Sequence, residues 1–165
     1  MNNHQKSLAD LERALNKHPD AEVKCIERLR IPHAHTSAVC KAIVAIIEAF
    51  NGRKIIVLVE AEISELGHKA RPEDIVAWIE FAGVFVIEVK SHDIKGIRSF
   101  ENNVPQVIYQ TYQEADVDLL DQPKDFAYKL KAEIEKTFDG TDHEPPPLYF
   151  AGWLPASSGS FNLWR

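Results

Sequence analysis

Apolar residues fall into two rhythms along this chain. In three stretches they recur three and four positions apart, the spacing of one helix face. Leu8, Leu11 and Leu15 mark the first, which predicts a helix over 7–17 with Ser7 as its N-cap and Pro19-Asp20 as its end. Val39, Ala42, Ile43, Ile46, Ile47 and Phe50 mark a helix over 36–50, closed by Asn51-Gly52. Phe126, Leu130 and Ile134 mark one from about Gln122 or Pro123 to Phe138, with Pro123 suited to its first turn. Residues 21–30 read as a further short helix, and Ile31-Pro32-His33 as a break. Elsewhere the apolar runs are short and β-branched, as strands require. Four are predicted, over 54–60, 74–80, 84–91 and 148–154.

Phe81-Ala82-Gly83 separates the second and third strands, so these form an antiparallel hairpin. Ser64 to Pro72 and 139–147 read as connections, and 92–118 as a long polar loop of the kind that often carries function. The predicted fold is α/β, with a mixed sheet flanked by helices. It divides into an N-terminal helical extension (1–35), a main domain (36–155) and a flexible tail (156–165), after which a further domain could follow.

Length and composition narrow the class. The chain has 165 residues, enough for one domain with a full core. Cys25 and Cys40 fit no zinc or disulfide spacing and read as reduced, buried thiols. No apolar run reaches the ~18 residues of a membrane span, and no signal peptide opens the chain. A cytoplasmic location and no membrane partner are expected. The formal net charge of -6 argues against broad, non-specific coating of nucleic acid, though not against a small basic groove.

The candidate chemistry lies in the hairpin. Side chains alternate along a strand, so Val86, Glu88 and Lys90 share a face while Ile87 and Val89 point to the other. A carboxylate and an ammonium on an apolar strand are costly if buried, and a functional site is one reason to retain them. If Glu80 pairs with Val84, Asp74 lies diagonal to Glu88 on the same face. Two such carboxylates suit a hard cation, which can activate water and orient a phosphate.

Asp74 followed fourteen residues later by Glu88-Val89-Lys90 resembles the PD-(D/E)XK nuclease superfamily. Arg71-Pro72-Glu73-Asp74-Ile75-Val76, then Gly83-Val84-Phe85-Val86-Ile87-Glu88-Val89-Lys90, is similar to the nuclease-related domain called NERD within it. The element order also resembles that superfamily's restriction-endonuclease-like αβββαβ core, over roughly 36–155. The resemblance implies metal-dependent hydrolysis of DNA phosphodiesters. Asp74 and Glu88 would bind magnesium or manganese, Lys90 would be the catalytic lysine, and a helicase-like or kinase-like partner is often fused or associated. It also implies an acid on the first core helix, where this chain offers only Glu48, turned about half a circle from Val39 and read as solvated. A Gln is usual in the following helix; here Gln122 precedes Pro123.

Other residues weigh less. Lys95, Arg98 and Gln122 are nucleic-acid-binding candidates by position. His33 and His35 could form a metal pair but read as loop histidines before a helix. His92 reads as a solvated loop residue, and Tyr109 and Tyr112 as packing rather than base-stacking groups. Trp153 reads as core. Glu114, Asp116, Asp118 and Asp121 form a solvated acidic face that would repel phosphate. The alternative function is a catalytically idle module that keeps the nuclease fold for nucleic-acid or protein interaction.

Overall fold

The computed structural model describes residues 2–32, 34–61, 73–90, 97–101, 104–108, 116–118 and 121–153. Its helices are α1 (Asn3–Lys17), α2 (Ala34–Ala49) and α3 (Asp121–Phe138). The strands are β1 (Ala21–Lys24), β2 (Ile55–Ala61), β3 (Glu73–Ile79), β4 (Gly83–Val89), β5 (Ile97–Glu101), β6 (Val104–Ile108), β7 (Asp116–Asp118) and β8 (Leu148–Trp153). The main sheet is mixed and runs β1-β2-β3-β4-β8; β5-β6-β7 make a second, antiparallel sheet.

Several local expectations are corrected. The first helix starts earlier than Ser7, because Asn2 caps it: its side chain accepts the Gln5 amide while the Gln5 side chain accepts the Asn2 amide. Ser7 instead lies inside the helix, buried, with its hydroxyl 2.7 Å from that of Ser37 on α2. Residues 21–30 are not an α-helix. Ala21–Lys24 extends beside β2, and Ile26–Arg30 forms a 3-10 turn after Cys25, whose φ is 60°. Pairing with an existing strand outweighs a weak helical rhythm over so few residues. The expected 92–118 loop carries β5, β6 and β7 among its described residues. Cys40 is buried, but Cys25 is exposed.

The sheet has two unlike faces. On one, α1 and α2 cover it through Leu11, Ile43, Ile46 and Ile47 against Ile55, Val57, Ile75, Ile79 and Ile87. Each such fully buried aliphatic side chain contributes about 1.5–3 kcal/mol. The segment read as an N-terminal extension thus supplies an edge strand and part of this core. On the other face, α3 sets Phe126 and Ala127 over Val76, Val84 and Val86. That cover thins at β2, where Ala61 packs against the cluster but Leu58 is 40% exposed.

The β3–β4 turn depends on one glycine. Gly83 has φ +120°, and a Cβ there would lie 2.3 Å from the Pro147 carbonyl oxygen. That oxygen accepts the Val84 amide at 2.8 Å and starts the parallel β4–β8 ladder. Register across the hairpin is Ile79 with Gly83 and Val76 with Val86. This corrects the expected Glu80–Val84 pairing by two residues and, continued past Ile75–Ile87, brings Asp74 level with Glu88.

Candidate active site

The site lies where β3 begins and β4 ends, and two helices start there. β4 and β8 are parallel and run out together, with the Lys90 amide bonded to the Trp153 carbonyl at 2.9 Å. The carboxyl ends of parallel strands are where open α/β sheets commonly place ligands. α2 and α3 approach from opposite faces, and each brings its second residue to a carboxylate. His35 of α2 donates from Nε2 to Oδ1 of Asp74 at 2.8 Å. Gln122 of α3 donates from Nε2 to Oε2 of Glu88 at 2.9 Å. The positive ends of two helix dipoles therefore face an acidic cluster, which lowers the cost of gathering negative charge there.

Asp74 does not point as strand alternation predicts. By alternation it would share a row with Val76 and Trp78. Its contacts are instead with His35 and with the Val89 amide, which donates to Oδ2 at 2.7 Å. That amide would otherwise continue the β3–β4 ladder, so Asp74 caps the hairpin's open end. A distortion accompanies this. Glu60, opposite Asp74, has φ 50°, and no rung joins the two although the flanking pairs Val59–Ile75 and Ala61–Glu73 are made.

Glu73 takes the position beside Glu88. It is 0% exposed, and neither of its carboxyl oxygens has a hydrogen-bond partner of good geometry. Burial, reinforced by the charges of Glu88 and Asp74, pushes its pKa up to about 9. Glu88 is also raised, again first by burial and then by Asp74, while Lys90 and Glu73 pull the other way. The physical picture is one proton held between two buried acids, carried by Glu73. Lys90 completes the group: its ammonium is hydrogen-bonded to Oε1 of Glu88, and it is only 18% exposed. His35 is raised as well, first by its hydrogen bond to Asp74, with the charges of Asp74 and Glu88 adding, against the effects of burial and Lys90.

Asp74, Glu88, Lys90 and Gln122 from the sequence reading therefore meet in one place. Gln122 stands inside α3 and serves Glu88, closer to the acids than a nucleic-acid contact requires. His35 is corrected from a loop histidine to a helix residue bound to Asp74; only its place at the start of the apolar stripe hinted at this. Glu73 was missed because alternation turned it away from Glu88. Glu48 is exposed as expected. The side chain of Arg98, on β5, and the whole of Lys95, His92, Tyr109 and Tyr112 lie outside the described residues.

Among the described residues, no three of His, Cys, Asp and Glu are arranged to hold a metal ion. Lys90 and Gln122 occupy the Glu88 oxygens, and His35 and the Val89 amide occupy those of Asp74. The donors nonetheless suit a hard cation: magnesium keeps several waters and needs only one or two carboxylates. The buried carboxyl of Glu73, which carries a proton beside Glu88, completes the cluster of acids. No helix among the described residues is long and apolar enough to cross a membrane. No family model, curated protein or solved structure matches the chain.

Proposed function

We propose that the chain is a metal-dependent phosphodiesterase acting on DNA, with a PD-(D/E)XK-type site on a fold of that kind. The observation that carries this reading is the meeting of Asp74, Glu88 and Lys90 at one end of the sheet, beneath the N-termini of two helices. The order α2, β2, β3, β4, α3, β8 supports it. Asp74 and Glu88 would hold magnesium or manganese, with the His35 imidazole a nitrogen donor within reach of Asp74. Such an ion, when bound, lowers the pKa of water and offsets phosphate charge.

The chain's own groups have separate tasks. His35 and the Val89 amide fix Asp74 in one orientation. Gln122 fixes Glu88. Lys90 supplies a positive charge beside Glu88, placed to orient the attacking water and to balance charge gathering on the phosphate oxygens. Water attacks phosphorus, the bond to the leaving sugar oxygen breaks, and that oxygen takes up a proton.

The test is cleavage of plasmid and of single- and double-stranded oligonucleotides, DNA and RNA, with Mg²⁺ or Mn²⁺. Asp74→Ala and Lys90→Ala are each expected to lower the rate at least a hundredfold with the fold intact by circular dichroism. One observation favours a second reading: the acids and Lys90 already satisfy one another, as in an idle module kept for nucleic-acid or protein interaction. Absence of metal-dependent cleavage on every substrate would select that reading.

A further inference from the structure

The orientation of Asp74 depends on a defect in the neighbouring strand. β2 and β3 pair at Val59–Ile75 and at Ala61–Glu73, but no rung joins Glu60 to Asp74 between them. Glu60 has φ 50°, which a residue with a Cβ keeps only where its surroundings hold it there. Those surroundings come from the N-terminal segment. β1 runs beside β2 only as far as Lys24–Leu58, and the chain then turns into Ile26–Arg30. From that turn Arg28 reaches back to β2. Its Nη1 donates to the Glu60 carbonyl oxygen at 2.8 Å and to Oε2 of the same residue at 3.3 Å. One guanidinium nitrogen thus ties down both the backbone and the side chain of Glu60, and the charge on each partner strengthens the tie.

We propose that Arg28 is a positioning residue for the acidic site: by holding Glu60 at positive φ it keeps the β2–β3 ladder open at Asp74, and so lets Asp74 turn to His35 and the Val89 amide. Local defects in a ladder re-aim side chains in this way, and they gather beside functional sites. Were Glu60 to relax to an ordinary extended φ, its rung with Asp74 would close. Alternation would then carry Asp74 into the row of Val76 and Trp78, away from both of its donors. That Asp74 serves hydrolysis rests on the reading above; the hold of Arg28 on Asp74, through Glu60, does not.

The experiment is amide hydrogen exchange on the full, metal-free chain, read residue by residue by nuclear magnetic resonance. The Val89 amide exchanges when its bond to Asp74 opens. Its rate is divided by that of the protected amides of the mid-hairpin pair Ala77–Phe85, which follow any general loss of stability. Arg28→Met keeps the aliphatic stem and removes the donors, and the side chain is 37% exposed, so the fold should survive. It is expected to raise the ratio at least tenfold, toward the value that Asp74→Ala sets. Arg28→Lys, which keeps the charge and loses the fork, should raise it by a smaller factor. Arg13→Met removes the same charge from an exposed helix face and should leave the ratio unchanged. Glycine takes a positive φ without strain, so adding Glu60→Gly to Arg28→Met should return the ratio to within threefold of the parent. A ratio in Arg28→Met within twofold of the parent, or a rise that Glu60→Gly does not reverse, overturns the assignment. If the parent cleaves DNA, Arg28→Met should also lower kcat at least tenfold with KM within threefold, and the double variant should recover it. A parent that cleaves nothing removes the nuclease reading, while the exchange ratio still decides whether Arg28 holds Asp74.

Discussion

The two ends of the β3–β4 hairpin carry the same kind of side chain under opposite conditions. At the turn, Glu80 is partly exposed, its carboxylate accepting the Lys54 amide at 3.3 Å, and Phe81 beside it is 92% exposed. At the open end, Glu73 and Glu88 are buried and press on each other and on Asp74. Water screens the acid at the turn and leaves it cheap. Burial makes the acids at the open end expensive, so they need donors: two helix N-termini, an imidazole, an amide group and an ammonium. The turn end holds the hairpin by backbone geometry, and the open end by compensated charge.

Gly83→Ala should produce the largest loss of stability. The substitution must both hold an L-residue at φ +120° and push a Cβ against the Pro147 carbonyl oxygen, which is backbone and cannot swing aside. A backbone strain of this kind combined with a clash costs about 3 kcal/mol or more. Urea unfolding should show the midpoint falling with the slope unchanged. A loss under about 1 kcal/mol would mean that the turn is not what fixes the β4–β8 alignment.

The open end should respond to pH in a way that the turn does not. Glu73 and Glu88 have folded pKa values above the ordinary carboxylate value, so between that value and the folded one the native state binds more protons than the unfolded chain. Their contribution is present in acid and is lost as pH rises toward about 9, the Glu73 value. His35, also raised, has the same sign: its contribution is complete below its ordinary value and fades as pH passes the folded one. Being a third exposed, it adds less. Each group sets a ceiling of about 1.4 kcal/mol per pH unit. Metal-free Tm should therefore fall between pH 5 and pH 9, and Glu73→Gln should flatten the curve. A parent whose Tm is constant over that range would show that the acids are not buried together.

Sequence pattern reached the architecture wherever the rhythm was long. The apolar stripe of α2, the spacing in α3 and the β-branched runs of β2, β3, β4 and β8 are each dictated by one-dimensional periodicity. Short elements escaped it: Ala21–Lys24 is a strand because β2 lies beside it, a fact of tertiary pairing. In the site, Asp74, Glu88 and Lys90 were legible from spacing, and Gln122 only through the family resemblance, as a nucleic-acid contact and not as a partner of Glu88. His35 and Glu73 were not, for one physical reason. Alternation predicts side-chain direction only inside a regular ladder, and the ladder fails at Glu60 and Asp74. The distortion that hides Glu73 from pattern reasoning is the one that turns it toward Glu88.

Glu80→Gln is the smallest of these effects and tests the contrast most directly. It replaces one carboxyl group by an amide in the same hairpin, within one sheet, as Glu73→Gln does. At Glu80 the Lys54 amide keeps an oxygen acceptor, water solvates the rest, and the change should stay within about 0.5 kcal/mol at any pH from 5 to 9. It should leave Mn²⁺ affinity and any cleavage rate at the parent's value, because the turn lies at the far end of the strands from Asp74 and Glu88. If Glu80→Gln and Glu73→Gln instead shift stability and pH dependence alike, the response does not belong to the burial of Glu73 and Glu88 beside Asp74.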